Sequence, residues 1–292
     1  MIIYNDVHIG GMLENSLVKI DKINYEFIGY EQKSPVPTAT VSQFLNDISD
    51  MSFLDRWKKK VGERNAHVIT EQSRAFGIRM EADLLDMLNV NGPKINSQYK
   101  DAVYQDYNEV EDIYENLGQA YSYELGNIDS SDLMTAMHSK AKLAAHNCFK
   151  YLNDHFRSFH GTQPFIASRQ LHLRGKIDFL MGDYESDKFH VVELKTCRNT
   201  PYEDQIKKYF HQAFIYSMTL RELIKHNQYP DDYAKYRPDA FTVMVWCRCE
   251  REPHLQPHLR VYESKLDDDK VKSDFIQDFN PWHLQKGWLN ER

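Results

Sequence analysis

The sequence predicts an α/β fold: a mixed central β-sheet flanked by helices, with a helical insertion. Three observations predict it. Apolar residues recur at steps of four and three over Val103, Tyr107, Val110, Tyr114, Leu117 and Tyr121, and a second helical pattern runs from Ser131 to about Phe156. From Phe165 to Lys195, short runs alternate apolar and polar residues between turn signals, the period of strands. Phe241 to Cys247 is apolar almost throughout, as in a strand covered on both faces. At 292 residues the chain has room for one large domain or two ordinary ones.

The elements follow in order. Residues 1–36 mix polar and β-branched types around the turn signals Asn5-Asp6 and Gly10-Gly11, and are expected to be an N-terminal extension with a small hairpin. Pro35-Val36-Pro37 breaks the chain, and Thr40 or Ser42 offers an N-cap to a helix carrying Phe44 and Leu45. Ser52 to Trp57 opens another helix. Glu71 to Leu88 reads as one long helix that Asn91-Gly92-Pro93 ends, since neither Gly nor Pro continues a helix well. Residues of about 100–160 form the helical insertion. Lys176 to Met181 reads as a strand, residues 182–187 as a turn-rich stretch, and Phe189 to Lys195 as the returning strand of a hairpin or meander. A helix from about Glu203 to Lys225 precedes the buried strand. The main domain is expected over residues 37–266, with residues 267–292 as a C-terminal tail.

Composition excludes several classes. Lys+Arg 36 against Asp+Glu 43 gives a net charge of −7, so any nucleic acid must be met by local patches or bound cations. The longest strongly apolar run is far too short to span a bilayer, and the first residues show no secretory pattern. Cys148, Cys197, Cys247 and Cys249 are too scattered for a disulfide framework, and Cys247-x-Cys249 lacks zinc-type spacing. A reducing cytoplasmic setting without membrane contact is expected.

The chemistry concentrates in Asp178, Glu193 and Lys195. Alternation along a strand points Glu193 and Lys195 the same way, and a hairpin register can bring Asp178 across from them. Two carboxylates can hold Mg²⁺ or Mn²⁺, and a lysine beside them can orient water or offset charge on a phosphoryl group. A solvated cross-strand ion pair is the plain alternative. The neighbours Ile177, Phe179, Val191, Val192 and Leu194 are apolar, however, and charge in such surroundings is costly without a partner or an ion. Gln212 and Tyr216, one helical turn apart, could reach a phosphate or the lysine, or could be a solvated amide and a core ring. Glu81 follows Arg74-Ala75-Phe76-Gly77, where the small Gly77 permits close approach to a sheet; an exposed helical carboxylate is its plain reading.

Gly175-Lys176-Ile177-Asp178, Val192-Glu193-Leu194-Lys195-Thr196 and Gln212-x-x-x-Tyr216, in that order, resemble the PD-(D/E)xK nuclease superfamily in its RecB-like exonuclease branch. Ser52 to Trp57, Val61-Gly62-Glu63 and the Ala75-Phe76-Gly77 helix resemble phage exonucleases related to the mitochondrial genome maintenance exonuclease; the resemblance runs from about Pro37 to Trp246. It implies a restriction-endonuclease-like core. Asp178, Glu193 and the Leu194 carbonyl would be metal ligands, Lys195 the catalytic lysine, and Gln212 and Tyr216 its supporting motif. Ile177 stands where the family has proline. Glu81 stands where this branch commonly has histidine, a change that suits a hard cation and resembles lambda-type exonucleases. The insertion could arch over the site and restrict it to strand ends.

The patch Arg56, Trp57, Lys58, Lys59, Lys60 and Arg64 joins cations to an aromatic ring, as single-strand binders do, though solvated helix faces look similar. Arg79, Lys207 and Lys208 are further candidate DNA contacts. The expected function is a metal-dependent exonuclease on single-stranded or frayed DNA ends, of phage origin and active in a host cytoplasm, with recombination or replication proteins as further partners. The alternatives are a structure-specific endonuclease on the same fold, an inactive DNA-end-binding accessory protein, and a structural domain with a surface ion cluster.

Overall fold

The structure is a computed structural model that describes residues 3–4, 18–20, 25–27, 39–49, 52–90, 130–162, 165–168, 170–183, 188–225, 237–250, 252 and 254–288. The stripe from Val103 to Tyr121 lies outside the described residues, as do the turn at 184–187 and the tyrosine-rich stretch after Pro230.

Three short strands, β1 (Ile3–Tyr4), β2 (Val18–Ile20) and β3 (Tyr25–Phe27), precede β4 (Ala39–Thr40). Helix α1 (Val41–Asp47) starts where the Thr40 hydroxyl accepts the Gln43 N–H at 3.0 Å, a cap worth about 1 kcal/mol. Helix α2 (Ser52–Val61) is separated from α3 (Glu63–Val90) by Gly62 alone, whose φ of +85° is the left-handed value that a residue without Cβ adopts freely. Helix α3 begins eight residues before the expected Glu71, and its first turns already bury Ala66 and Val68. Its buried face carries Phe76, Met80, Leu84 and Leu88, spaced by four. That face packs on α4 (Ser130–His155), where Ala141, Ala144, Ala145 and Cys148 are buried.

After α4 come β5 (Phe156–Thr162), β6 (Phe165–Ser168), β7 (Leu173–Lys176), β8 (Phe179–Asp183), β9 (Lys188–Cys197), α5 (Glu203–Lys225), β10 (Arg237–Cys247), β11 (His258–Lys265) and α6 (Asp269–Gln285). A six-stranded mixed sheet has the order β1-β5-β8-β9-β10-β11, and a three-stranded mixed sheet the order β4-β7-β6; β2 and β3 pair separately. Helices α3 and α4 cover one face of the large sheet, and α1, α5 and α6 enclose the core on the other. Every residue of β10 from Phe241 to Cys247 is buried, as the apolar run predicts.

Two expectations are corrected. Residues 176–181 are not one strand: β7 belongs to the small sheet and β8 to the large one, and the chain changes sheets at Ile177-Asp178. Nor are residues 267–292 simply a tail. Asp268 caps α6 by accepting the N–H groups of Lys270 and Val271 at 2.9 and 3.2 Å. Phe275, Phe279 and Trp282 of α6 pack edge-on against Phe44 of α1, and the Trp282 indole donates to Asp47 at 2.9 Å. The charged residues between these rings, and Pro281 inside the helix, hide the helical period in the sequence.

Candidate active site

The sheet switch creates the site. Antiparallel pairing of Phe179 with Val192 and Leu180 with Val191 brings Asp178, one residue before β8, level with Glu193. The Leu194 N–H donates to Asp178 Oδ2 at 2.8 Å in place of the β8 backbone. A residue of an extended strand turns its N–H and C=O toward the same neighbour, so the Leu194 carbonyl lies on the Asp178 side.

On the α5 face of β9, Lys195 Nζ lies 2.8 Å from Glu193 Oε2 and 3.5 Å from Asp178 Oδ2. The Glu193 side chain is fully buried, whereas those of Lys195 and Asp178 keep 19% and 24% of their exposure. The site therefore opens to solvent over Asp178 and Lys195. Among the described residues, Glu193 Oε1 is buried with no hydrogen-bond partner. Burial, and then the charge of Asp178, push the Glu193 carboxyl up to about 8 against the opposing pull of Lys195. Burial also works against the Lys195 ammonium, but the charges of Asp178 and Glu193 outweigh it and hold the amine above its ordinary range. A buried carboxylate oxygen without a donor costs several kcal/mol unless a proton or cation meets it. The residues present thus fit a divalent cation: two hard carboxylates, one with an orphaned oxygen, beside a carbonyl on the same strand edge.

Helix α5 backs this group. Gln212 donates its amide to the Tyr216 hydroxyl at 3.4 Å, and Tyr216 is buried. Burial, and next the charge of Glu193, raise the Tyr216 phenol above its usual range. A Cβ on Gly175 would stand 2.5 Å from the Tyr216 hydroxyl, so the ring reaches β7 only because residue 175 lacks a side chain. Two turns before Tyr216, the Tyr209 hydroxyl lies 3.3 Å from Cys197 Sγ. The sequence motif contains Gly175, but its contact with Tyr216 shows only in three dimensions.

Other candidates stand elsewhere. A Cβ on Gly77 would be 3.5 Å from Thr196 Oγ1, so α3 crosses β9 on the opposite face from Glu193 and Lys195. Glu81, one turn further along α3, is half-buried. Among the described residues no group of three or more His, Cys, Asp or Glu side chains is placed to hold a metal. Arg79 donates to Asp83 at 3.1 Å along its own helix. Lys207 pairs with Asp278 of α6 at 2.8 Å, and His211 donates to the same carboxylate at 2.9 Å, so Lys207 also ties α5 to α6. Lys208 is half-exposed; Arg56, Lys58, Lys59, Lys60 and Arg64 are exposed, and Trp57 is half-buried. Among the described residues no helix is long and apolar enough to cross a membrane.

A family model described as PD-(D/E)XK nuclease superfamily matches residues 94–280, more than half of the chain. Its span includes Asp178, Glu193, Lys195, Gln212 and Tyr216, and excludes Glu81 and the basic helix α2. No curated protein matches the chain.

Proposed function

We propose that this chain, which belongs to the PD-(D/E)XK nuclease superfamily, is a Mg²⁺- or Mn²⁺-dependent exonuclease on single-stranded or frayed DNA ends. The superfamily assigns nuclease chemistry, and its members generally use divalent metals such as Mg²⁺. The observation that carries the metal-dependent reading is the buried Glu193 carboxylate, with one oxygen on Lys195 and the other without a donor among the described residues. The Gln212–Tyr216 pair on α5 supports a RecB-like branch, and with it a phage source and a place among recombination or replication proteins.

In this reading Asp178, Glu193 and the Leu194 carbonyl hold the cation. When bound, it supplies positive charge against the negative charge that develops on the phosphoryl oxygens, and makes nearby water more acidic. Lys195 keeps its proton and offers a directed ammonium to the phosphate or the attacking water. Glu193 orients that ammonium. The Leu194 N–H holds Asp178 at the mouth of the site, and Tyr216 with Gln212 closes the floor beneath it. The exposed cations of α2, with Trp57, give a strand a docking surface in an otherwise acidic chain. Glu81, Arg79 and Lys208 are candidate contacts from the flanking helices, and Lys207 would have to leave Asp278 to become one.

The test is digestion of end-labelled linear and circular single-stranded DNA with Mg²⁺, Mn²⁺ or chelator. Release of short products from linear DNA alone, lost in chelator and in Lys195→Ala, is the expected result. Cutting of the circle would make the chain an endonuclease, and binding without cleavage in either metal an end-binding accessory protein.

A further inference from the structure

The row of β9 side chains that carries Glu193 and Lys195 continues past them. Strand alternation puts Val191, Glu193, Lys195 and Cys197 on the α5 face, with about 6.6 Å between neighbours in the row at about 3.3 Å per residue. Val191 and Glu193 are fully buried, whereas Lys195 and Cys197 are half-buried. Val243, Val245 and Cys247 of β10, the register partners of Glu193, Lys195 and Cys197, are fully buried too. Access along the row therefore opens from Lys195 toward Cys197. That is the carboxyl end of β9, the end at which open α/β sheets meet their ligands.

Tyr209 of α5 stands over that end. It shares a helix face with Gln212 and Tyr216, three and seven residues further on. Its hydroxyl lies 3.3 Å from Cys197 Sγ, and among the described residues it has no other hydrogen-bond partner. Sulfur is a weak donor and a weak acceptor, whereas a packed phenol ordinarily finds a strong partner. Packing accounts for the ring but not for the hydroxyl, since phenylalanine would fill the same place with no polar group to satisfy. Burial, and next Cys197, raise the Tyr209 phenol above its usual range, while the charge of Lys195 pulls the other way. The hydroxyl thus keeps its proton for donation and stands within electrostatic reach of the ammonium.

We infer that Tyr209 is a substrate contact, whose hydroxyl turns from Cys197 to a non-bridging oxygen of the phosphate next to the one under attack. The inference rests on the nuclease reading and adds to it a residue outside the Gln212–Tyr216 pair. A phosphate oxygen is a charged acceptor and displaces a thiol with ease. Tyrosine is among the side chains that fix a nucleic acid by its backbone without reading its bases. The contact holds the strand in place and takes no part in bond cleavage, so its loss belongs in KM and not in kcat.

The experiment pairs one hydroxyl of the protein with one linkage of the substrate. Single-stranded oligonucleotides carry a neutral methylphosphonate at one linkage at a time. Cleavage with Mg²⁺ or Mn²⁺, and binding by fluorescence anisotropy with chelator, are measured for the full chain, Tyr209→Phe and Cys197→Ala. Tyr209→Phe keeps the ring and should melt with the original protein. In the original, one neutral linkage beside the cut should raise KM about tenfold with kcat retained. Tyr209→Phe should show that rise on unmodified DNA and no further rise at that linkage, the non-additivity of two groups in contact. Cys197→Ala removes the resting partner but leaves the phenol, and should keep the full sensitivity to the neutral linkage. Identical behaviour of the two variants would reduce Tyr209 to a partner of Cys197 and overturn the contact. Linkage effects undiminished in a Tyr209→Phe protein that still cleaves would overturn it as well and leave the nuclease standing. An original protein that never cleaves would discard the nuclease reading. The binding scan then decides the contact, which stands if the dip at one linkage disappears in Tyr209→Phe and falls if the dip persists or is absent from the original.

Discussion

The two faces of β9 are built for different purposes from adjacent residues. Toward α3 and α4, Val192 and Leu194 enter a packed core with Met80, Leu84, Phe179 and Met244. Toward α5, Glu193 and Lys195 interrupt a row that is otherwise Val191 and Cys197, and place charge where Val243 and Val245 are fully buried next to them. One face gains stability from the removal of apolar surface, about 25 cal/mol per Å². The other holds a carboxylate whose burial opposes folding. A strand that alternates these roles residue by residue keeps its charged groups in place because the apolar side anchors it.

The contrast is most sharply tested by exchanging the two kinds of damage. Glu193→Gln and Asp178→Asn should lower kcat by about a hundredfold or more. Below pH 8 their melting temperatures should stay nearly level, because the amides keep the shape of the acids and the Glu193 carboxyl is already mostly uncharged there. Met80→Ala, on the other face, should show the opposite pattern, losing about 2–5 kcal/mol of stability in denaturant titration with little change in kcat of the folded fraction. Similar stability losses in all three would erase the distinction.

Next in size is the response to pH. The Glu193 carboxyl is raised to about 8, so its neutral form contributes stability that is fully present below the ordinary carboxyl range and is lost as pH rises through about 8. The metal-free protein should therefore melt at a lower temperature at pH 8 than at pH 6. Cation binding needs the ionised form, so Mn²⁺ affinity measured by calorimetry should change the other way, rising by up to about tenfold per pH unit over that interval. A pH-independent affinity would remove Glu193 from the ligand set.

Tyr216→Phe is a smaller perturbation, since the ring stays packed while the hydroxyl beside Gly175 and Gln212 is lost. A severalfold fall in kcat with an unchanged melting temperature is expected; no fall would make Tyr216 a packing residue only. The least effect belongs to Glu81→Ala. Because α3 meets β9 on the apolar face, this variant should shift the Mg²⁺ titration by about threefold or less. A loss as large as that of Asp178→Asn would show that α3 moves to complete a triad when metal binds.

Much of this was legible in the chain. The helical stripe of α4 and the apolar run of β10 stand where the periodicity puts them. Glu-x-Lys on one strand face follows from alternation alone, because successive side chains of a strand point to opposite sides. Residues 94–280 also carry a family signature that names the chemistry class.

Tertiary structure decided the remainder. That the chain leaves the small sheet at Ile177-Asp178, so that a free strand end presents Asp178 to the Leu194 N–H, depends on pairing partners distant in sequence. The contact of Gly175 with Tyr216, the docking of α6 on Phe44 and the side from which Glu81 approaches arise in the same way. Local pattern determines which face a residue occupies on its own element, since that is set by backbone geometry. Which other element meets that face is set by the packing of the whole core, where apolar burial fixes distances that no short stretch of sequence contains.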